Sequence, residues 1–293
     1  MLTFFQAIVL GVLQGVTELF PVSSLGHSVI LPQILGWSDV VAAQSAAESY
    51  FLAFLVGLHV ATALALLFFY RSTWARIVRG LGTTLRTRRI ETPDQRLGWL
   101  LVVATVPAGI VGLLLEHTLR VVFAHPLAAA CFLVANGLIL LFGEWVRRRA
   151  EVRRVVAAHQ TTAAGDRRLD TLEFREAGGI GVAQVFALLP GISRSGITMV
   201  AGLARGLDHE DAARFSFLLA TPIILAAGVY KLPDLLGANG DGVRPQVLVG
   251  SIAAGIAAYL SVRFLTRWFT TRTLLPFAIY SLVVGVLAIV RFA

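Results

Sequence analysis

Residues 50–70, YFLAFLVGLHVATALALLFFY, run without a single Asp, Glu, Lys or Arg. About 20 helical residues of this kind cross the roughly 30 Å of a bilayer's hydrocarbon. In lipid, every backbone N–H and C=O must then find its partner inside the protein. Five further stretches are nearly as apolar, with only one or two charged residues each: 98–116, 127–146, 212–231, 246–264 and 273–291. Composition agrees, with 57% hydrophobic and only 14% charged residues, against roughly 25% charged in soluble domains. The expectation is an all-α integral membrane protein with six spanning helices and no soluble domain.

Two apolar regions depart from this pattern. Residues 2–13 are too short to span, and the polar stretch QGVTELFPVSSLGH at 14–27 follows, broken at Pro21, before a second short run at 28–36. The second half repeats the plan: a short run at 178–189, PGISRSGIT at 190–198, and another short run at 199–207. Non-helical polar backbone at membrane depth survives only where protein buries it or where it lines a wet cavity. Each region is therefore expected to be a re-entrant helical hairpin; for the first, a single kinked spanning helix is the alternative. One hairpin and three spans per half, in opposite orientation, make an inverted-topology repeat with a shared site. The chain then divides into a first repeat over 1–146, a basic loop over 147–177 and a second repeat over 178–293, all in one membrane domain.

The charge pattern sets orientation. The net charge is +8, and every basic residue except Lys231 is Arg. Seven Arg lie in 71–96 and eight in 147–177, both read as loops, and Arg263, Arg267 and Arg272 flank the turn before the last span. Positive residues concentrate on the cytoplasmic side, so this clustering indicates membrane topology and argues against a nucleic-acid partner. Cys131 is the only cysteine, which excludes an intrachain disulfide and a cysteine-based metal site. The opening MLTFFQAIVLGV has no basic region before its apolar run and no small-residue cleavage site, so it is expected to be retained.

The polar patches carry the chemistry. Gln14 and Glu18 are one helical turn apart and face the same way. An acid at membrane depth is a functional hypothesis by default: Glu18 could act as a general base or hold a divalent cation, or it could cap a helix or pair with an Arg. Ser23, Ser24 and His27 follow Pro21, and a Ser beside a His is the minimum for an activated hydroxyl, although Ser is also a common helix cap. Arg194 stands among Ser193, Ser195, Gly196 and Thr198, just ahead of a helix. A forked guanidinium beside helical N–H groups suits a phosphate, and pairing with Glu18 is compatible with that. His59 either lines the site or hydrogen-bonds within the helices, and Asn136 and Thr105 read as packing polars. Ser216, Thr221 and Pro222, in FSFLLATP, could support the cavity wall.

These residues resemble the bacterial undecaprenyl-diphosphate phosphatases of the bacitracin-resistance type. The family's (E/Q)xxxE…PxSSxGH motif is matched by Gln14, Glu18, Pro21, Ser23, Ser24, Gly26 and His27, and its PGxSRSGxT motif by Pro190, Gly191, Ser193, Arg194, Ser195, Gly196 and Thr198. The resemblance implies hydrolysis of a polyprenyl diphosphate lipid in the bacterial plasma membrane, at a site facing the periplasm. That reaction recycles the lipid carrier for peptidoglycan synthesis and confers bacitracin resistance. It also implies help from a divalent cation, Mg or Ca, for which Glu18 and Gln14 are the candidate ligands; no organic cofactor is expected. Glu18, Ser24, His27 and Arg194 are the expected catalytic residues, with Ser23, Ser193, Ser195, Gly196 and Thr198 on the diphosphate. Ser24 is the candidate nucleophile with His27 and Glu18 as acid/base partners, and a water activated by Glu18 or His27 is the rival. A polyprenyl-phosphate transporter is the alternative from another class, and a homodimer is compatible with all of this.

Overall fold

The computed structural model describes residues 2–45, 50–123, 125–158, 167–237 and 242–293. Among these the chain is helical, with no strand beyond an isolated bridge between Arg167 and Leu207. The helices are α1 (Phe4–Thr17), α2 (Ser24–Ile34), α3 (Ser38–Ser45), α4 (Tyr50–Phe69), α5 (Arg71–Thr87), α6 (Pro93–Phe123), α7 (Pro126–Ala158), α8 (Phe174–Val185), α9 (Arg194–Ala204), α10 (His209–Leu236), α11 (Arg244–Trp268) and α12 (Leu275–Phe292). Six of them, α4, α6, α7, α10, α11 and α12, are long and apolar enough to cross a membrane, as expected. The chain is a multi-pass membrane protein.

Both basic segments read as loops contain helix. Arg71–Thr87 is α5, which buries Thr73, Ile77 and Thr84 on one face and exposes its arginines on the other. Spacings of four and seven residues are one stripe of a 3.6-residue helix; a reading of charge density alone passes over it. The second loop is shortened because α7 continues through Arg147, Arg148 and Arg149 to Ala158. Of the 147–177 segment, 159–166 lies outside the described residues. Pro126 opens α7 at a position where its missing N–H has no helical partner to lose.

The two broken regions form helix–turn–helix units, α1–α2 and α8–α9. Each packs its first helix closely against a long one. A Cβ at Gly11 would sit 2.3 Å from the Gly250 carbonyl oxygen of α11, and a Cβ at Gly181 would sit 2.4 Å from that of Ala104 on α6. Only glycine permits such an approach, which brings both turns into the middle of the bundle. The central core around them is built from Leu19, Phe215, Phe217, Leu218, Ala258 and Phe277.

Candidate active site

The first turn exists because Pro21 prevents α1 from continuing beyond Thr17. Ser23 then restarts the chain as the N-cap of α2, at φ 70°, with its Oγ accepting from Gly26 N. A non-glycine residue at positive φ is uncommon, and such strain tends to collect at functional sites. The second turn is built alike: Ser193 caps α9 by accepting from Gly196 N. Gly191 ahead of it has φ 110°, where a Cβ would lie 2.4 Å from the Ala129 carbonyl oxygen.

The turns interlock. Gly191 N donates to Ser23 Oγ at 3.1 Å, and Ser195 Oγ donates to the Phe20 carbonyl at 3.4 Å. Asn136 on α7 is tied to both. Its Oδ1 accepts from Ser193 N at 2.9 Å, while its Nδ2 donates to the Pro21 carbonyl at 2.9 Å and to Ser281 Oγ at 3.2 Å. An acceptor-only carbonyl and a donor-only amide fix which way the Asn136 amide points. Asn136 was expected as a packing polar. It does hydrogen-bond between elements in that way, and what it ties together are two turns from opposite halves of the sequence.

Glu18 is the centre of the site. It sits at the C-cap of α1 and is 7% exposed. Its Oε2 accepts from Ser24 Oγ at 2.6 Å and from Gln14 Nε2 at 3.1 Å. Its Oε1 accepts from Arg194 Nη2 at 2.7 Å. Arg194 also reaches the Ser216 carbonyl at 3.5 Å from Nη1. His59 on α4 brings Nε2 to 3.5 Å from Glu18 Oε2. A buried carboxylate is tolerable only when so compensated.

His27 is engaged differently from what its spacing to Ser24 suggests. Its Nδ1 lies 2.7 Å from the Ser23 carbonyl, and its Nε2 lies 2.9 Å from Tyr280 Oη on α12, whose ring stacks on it. The carbonyl can only accept, so Nδ1 carries the proton and Nε2 accepts from Tyr280. The group in hydrogen-bond contact with the Ser24 hydroxyl is Glu18. The remaining hydroxyls pair with one another and with α10. Ser193 Oγ meets Ser195 Oγ at 3.0 Å, and Thr198 Oγ1 meets Ser216 Oγ at 2.7 Å. Glu18, Ser24, Arg194 and Gln14 thus form one contact group, with Ser23, Ser193, Ser195, Gly196, Thr198 and His27 shaping its walls. The sequence leaves two alternatives for His59, and its ring does face Glu18; sequence reasoning did not assign Asn136 or Tyr280 to the site. The only local signal for either was the polar character of a mid-span residue.

Glu18 and Gln14 as arranged do not fit a resident cation. Divalent cations require about six oxygen ligands, and both Glu18 oxygens already accept from Ser24, Gln14 and Arg194. Gln14 Oε1 is buried without a partner, and with the lone pair that Arg194 leaves on Glu18 Oε1 it makes at most two acceptors, well short of such a set. Among the described residues no three His, Cys, Asp or Glu side chains converge. With a carboxylate on a short hydroxyl contact and a guanidinium beside them, the group can activate an alcohol and hold an anion.

The chain matches the family model for bacitracin resistance protein BacA over residues 7–287. It is 58% identical to undecaprenyl-diphosphatase 2 of Frankia alni, covering 100% of this chain and 98% of that protein. It is 57% identical to the undecaprenyl-diphosphatase of Mycolicibacterium paratuberculosis, over 97% and 95% of the two chains. Identity to the undecaprenyl-diphosphatase of Granulibacter bethesdensis is 47%, over 96% and 94%.

Proposed function

The chain belongs to the BacA bacitracin-resistance family, and on that premise we propose that it hydrolyses undecaprenyl diphosphate to undecaprenyl phosphate and inorganic phosphate. The reaction returns the lipid carrier to peptidoglycan synthesis and confers resistance to bacitracin. The observation that carries this reading is the 2.6 Å contact from Ser24 Oγ to Glu18 Oε2, with Arg194 on the other carboxylate oxygen.

The steps follow from that contact. Ser24 Oγ attacks the terminal phosphorus while its proton passes to Glu18 Oε2. The bond from that phosphorus to the bridging oxygen breaks, and Glu18 returns the proton to the departing undecaprenyl phosphate. Water then attacks the phosphoserine, Glu18 takes the water's proton, and Ser24 Oγ leaves with it, releasing phosphate. Arg194 holds the phosphoryl oxygens and opposes the charge they gain in the transition state. Ser193, Ser195, Thr198 and the buried Asn136 keep Arg194 and the turn in place.

The two helix–turn–helix units act, in this reading, as re-entrant hairpins of an inverted repeat. Support comes from GVLQ at 11–14 and GVAQ at 181–184, whose glycines both abut a carbonyl of a long helix, and from the matched serine caps at Ser23 and Ser193. Exposed arginines of α5 and the Arg-rich end of α7 mark the cytoplasmic face of the plasma membrane, and the site opens to the periplasm.

Phosphate release from undecaprenyl diphosphate by the purified protein tests the reading, beside Arg194→Ala and Glu18→Ala. Release by wild type, and loss in both variants, is the expected result. No release by a folded wild type would leave the interlocked turns as the gates of a lipid-phosphate transporter instead.

A further inference from the structure

The one-sided charge of α5 plays no part in the site around Glu18. Between Arg71 and Arg89 the chain carries six arginines and no acid. Arg76 is answered by Asp94 of α6 at 3.1 Å. Arg79 and Arg86 are exposed and have no acidic partner among the described residues. Seven residues separate them, so they project from one face of the helix about 10 Å apart along its axis. Gly82 leaves that face bare between them, since a Cβ there would meet nothing within 4 Å. Arg79, Gly82, Thr83, Arg86 and Thr87 line the resulting groove. The Thr83 and Thr87 hydroxyls donate back to the Arg79 and Thr83 carbonyls. The donors left for a ligand are the two guanidinium groups.

The helix lies where the bilayer changes from hydrocarbon to headgroups. It joins two spans, α4, which ends at Phe69, and α6, which begins at Pro93. Close contacts hold it against α6, with Gly80 on Gln95 and Gly98 on Ile77 and Leu81. Beside the groove, Val78 and Leu85 are 63% and 69% exposed, again seven residues apart. On a helix of 3.6 residues per turn they fall between the face packed on α6 and the face bearing Arg79 and Arg86. Half-buried Trp74 shares that flank, and tryptophan collects at the membrane–water boundary. An apolar flank beside a basic one is the pattern of a helix lying in the interface.

We propose that this groove binds an anionic phospholipid of the surrounding bilayer. The headgroup phosphate sits over Gly82 between the Arg79 and Arg86 guanidinium groups, and the acyl chains run against Val78 and Leu85. Guanidinium forks suit phosphate oxygens. Two unanswered cations favour a phosphodiester whose headgroup carries no amine, such as phosphatidylglycerol, over zwitterionic phosphatidylcholine. The groove is separate from the Glu18–Arg194 group, and the proposal does not rest on the hydrolase reading.

The test titrates the full-length protein in detergent with phosphatidylglycerol and, separately, with phosphatidylcholine of the same chains, reading bound lipid by mass spectrometry of the intact protein. Wild type should prefer phosphatidylglycerol. Arg79→Gln combined with Arg86→Gln should reduce that preference on the order of tenfold to thirtyfold, the contribution of two arginines beside an anionic lipid. Gly82→Leu keeps every charge and fills only open space, so it should fold normally and still weaken the preference by obstructing the groove. Arg263→Gln combined with Arg267→Gln removes the same net charge from exposed positions near the end of α11 and should keep the wild-type preference. A wild type that binds both lipids equally overturns the proposal, as does an undiminished preference in either groove variant. An equal loss in the α11 variant would reduce the effect to net charge and overturns it too.

Discussion

Asn136→Ala removes one side chain and loosens both turns at once. Three hydrogen bonds go: to Ser193 N, to the Pro21 carbonyl and to Ser281 Oγ, all around a residue that is fully buried. Side-chain hydrogen bonds between membrane helices average about 0.6 kcal/mol, which sets a floor of roughly 2 kcal/mol for the three. Leaving a buried amide and carbonyl unpaired adds to this, for a total loss of about 2–4 kcal/mol. The catalytic effect should be larger than the stability effect suggests. Pro21 lies three residues before Ser24, and Ser193 adjoins Arg194, so the nucleophile and the phosphate-binding cation lose their common reference. A misplacement of about 1 Å costs on the order of a hundredfold in rate. Thermal unfolding in detergent and phosphate release would be measured on the same preparation. A variant that folds but hydrolyses at least tenfold more slowly is the expected result. Wild-type rate together with wild-type stability would refute the role assigned to Asn136.

Other perturbations test separate parts of the account. Gly181→Val places a branched side chain where a bare Cβ already comes within 2.4 Å of the Ala104 carbonyl. It should displace α8 from α6 and lower the unfolding temperature, and an unchanged temperature would mean that the helices are not in contact there. Outside the spans, Arg167 Nη1 donates to Glu176 Oε1 at 2.7 Å, which holds that carboxyl below its ordinary range. Its stabilisation is therefore complete above the unfolded value of about 4.3 and is lost as pH falls through the lower folded value. The stability gap between wild type and Glu176→Gln should close on acidification, and a gap that widens would contradict the pairing. Calorimetric titration of Mg or Ca into substrate-free protein should show no tight site at Glu18 and Gln14. Stoichiometric tight binding that Glu18→Gln abolishes would show that these residues rearrange into a cation site.

The six spans and both motif-bearing turns were legible because long apolar runs and Pro/Gly-broken polar patches are local signals. The amphipathic α5 was not, since its three buried residues are Thr73, Ile77 and Thr84, two of them polar. Contacts across the fold were hidden for a different reason. Asn136 is 115 residues from Pro21 and 145 from Ser281, and nothing in its apolar surroundings announces either partner. The Ser24–His27 spacing invited a pairing that the turn itself prevents: the Ser23 carbonyl, four residues before His27, captures Nδ1, and Tyr280 from α12 takes the other nitrogen. Glu18 and Ser24 are six residues apart across a proline break, a spacing no regular helix would bring together.

The most direct test of the central claim, that Ser24 attacks phosphorus with Glu18 as its base, is rapid acid quench of enzyme mixed with undecaprenyl diphosphate labelled in its terminal phosphate, followed by peptide mapping. The account predicts label on the peptide carrying Ser24 in wild type and none in Ser24→Ala, which should also be inactive. Full hydrolysis by Ser24→Ala would contradict it.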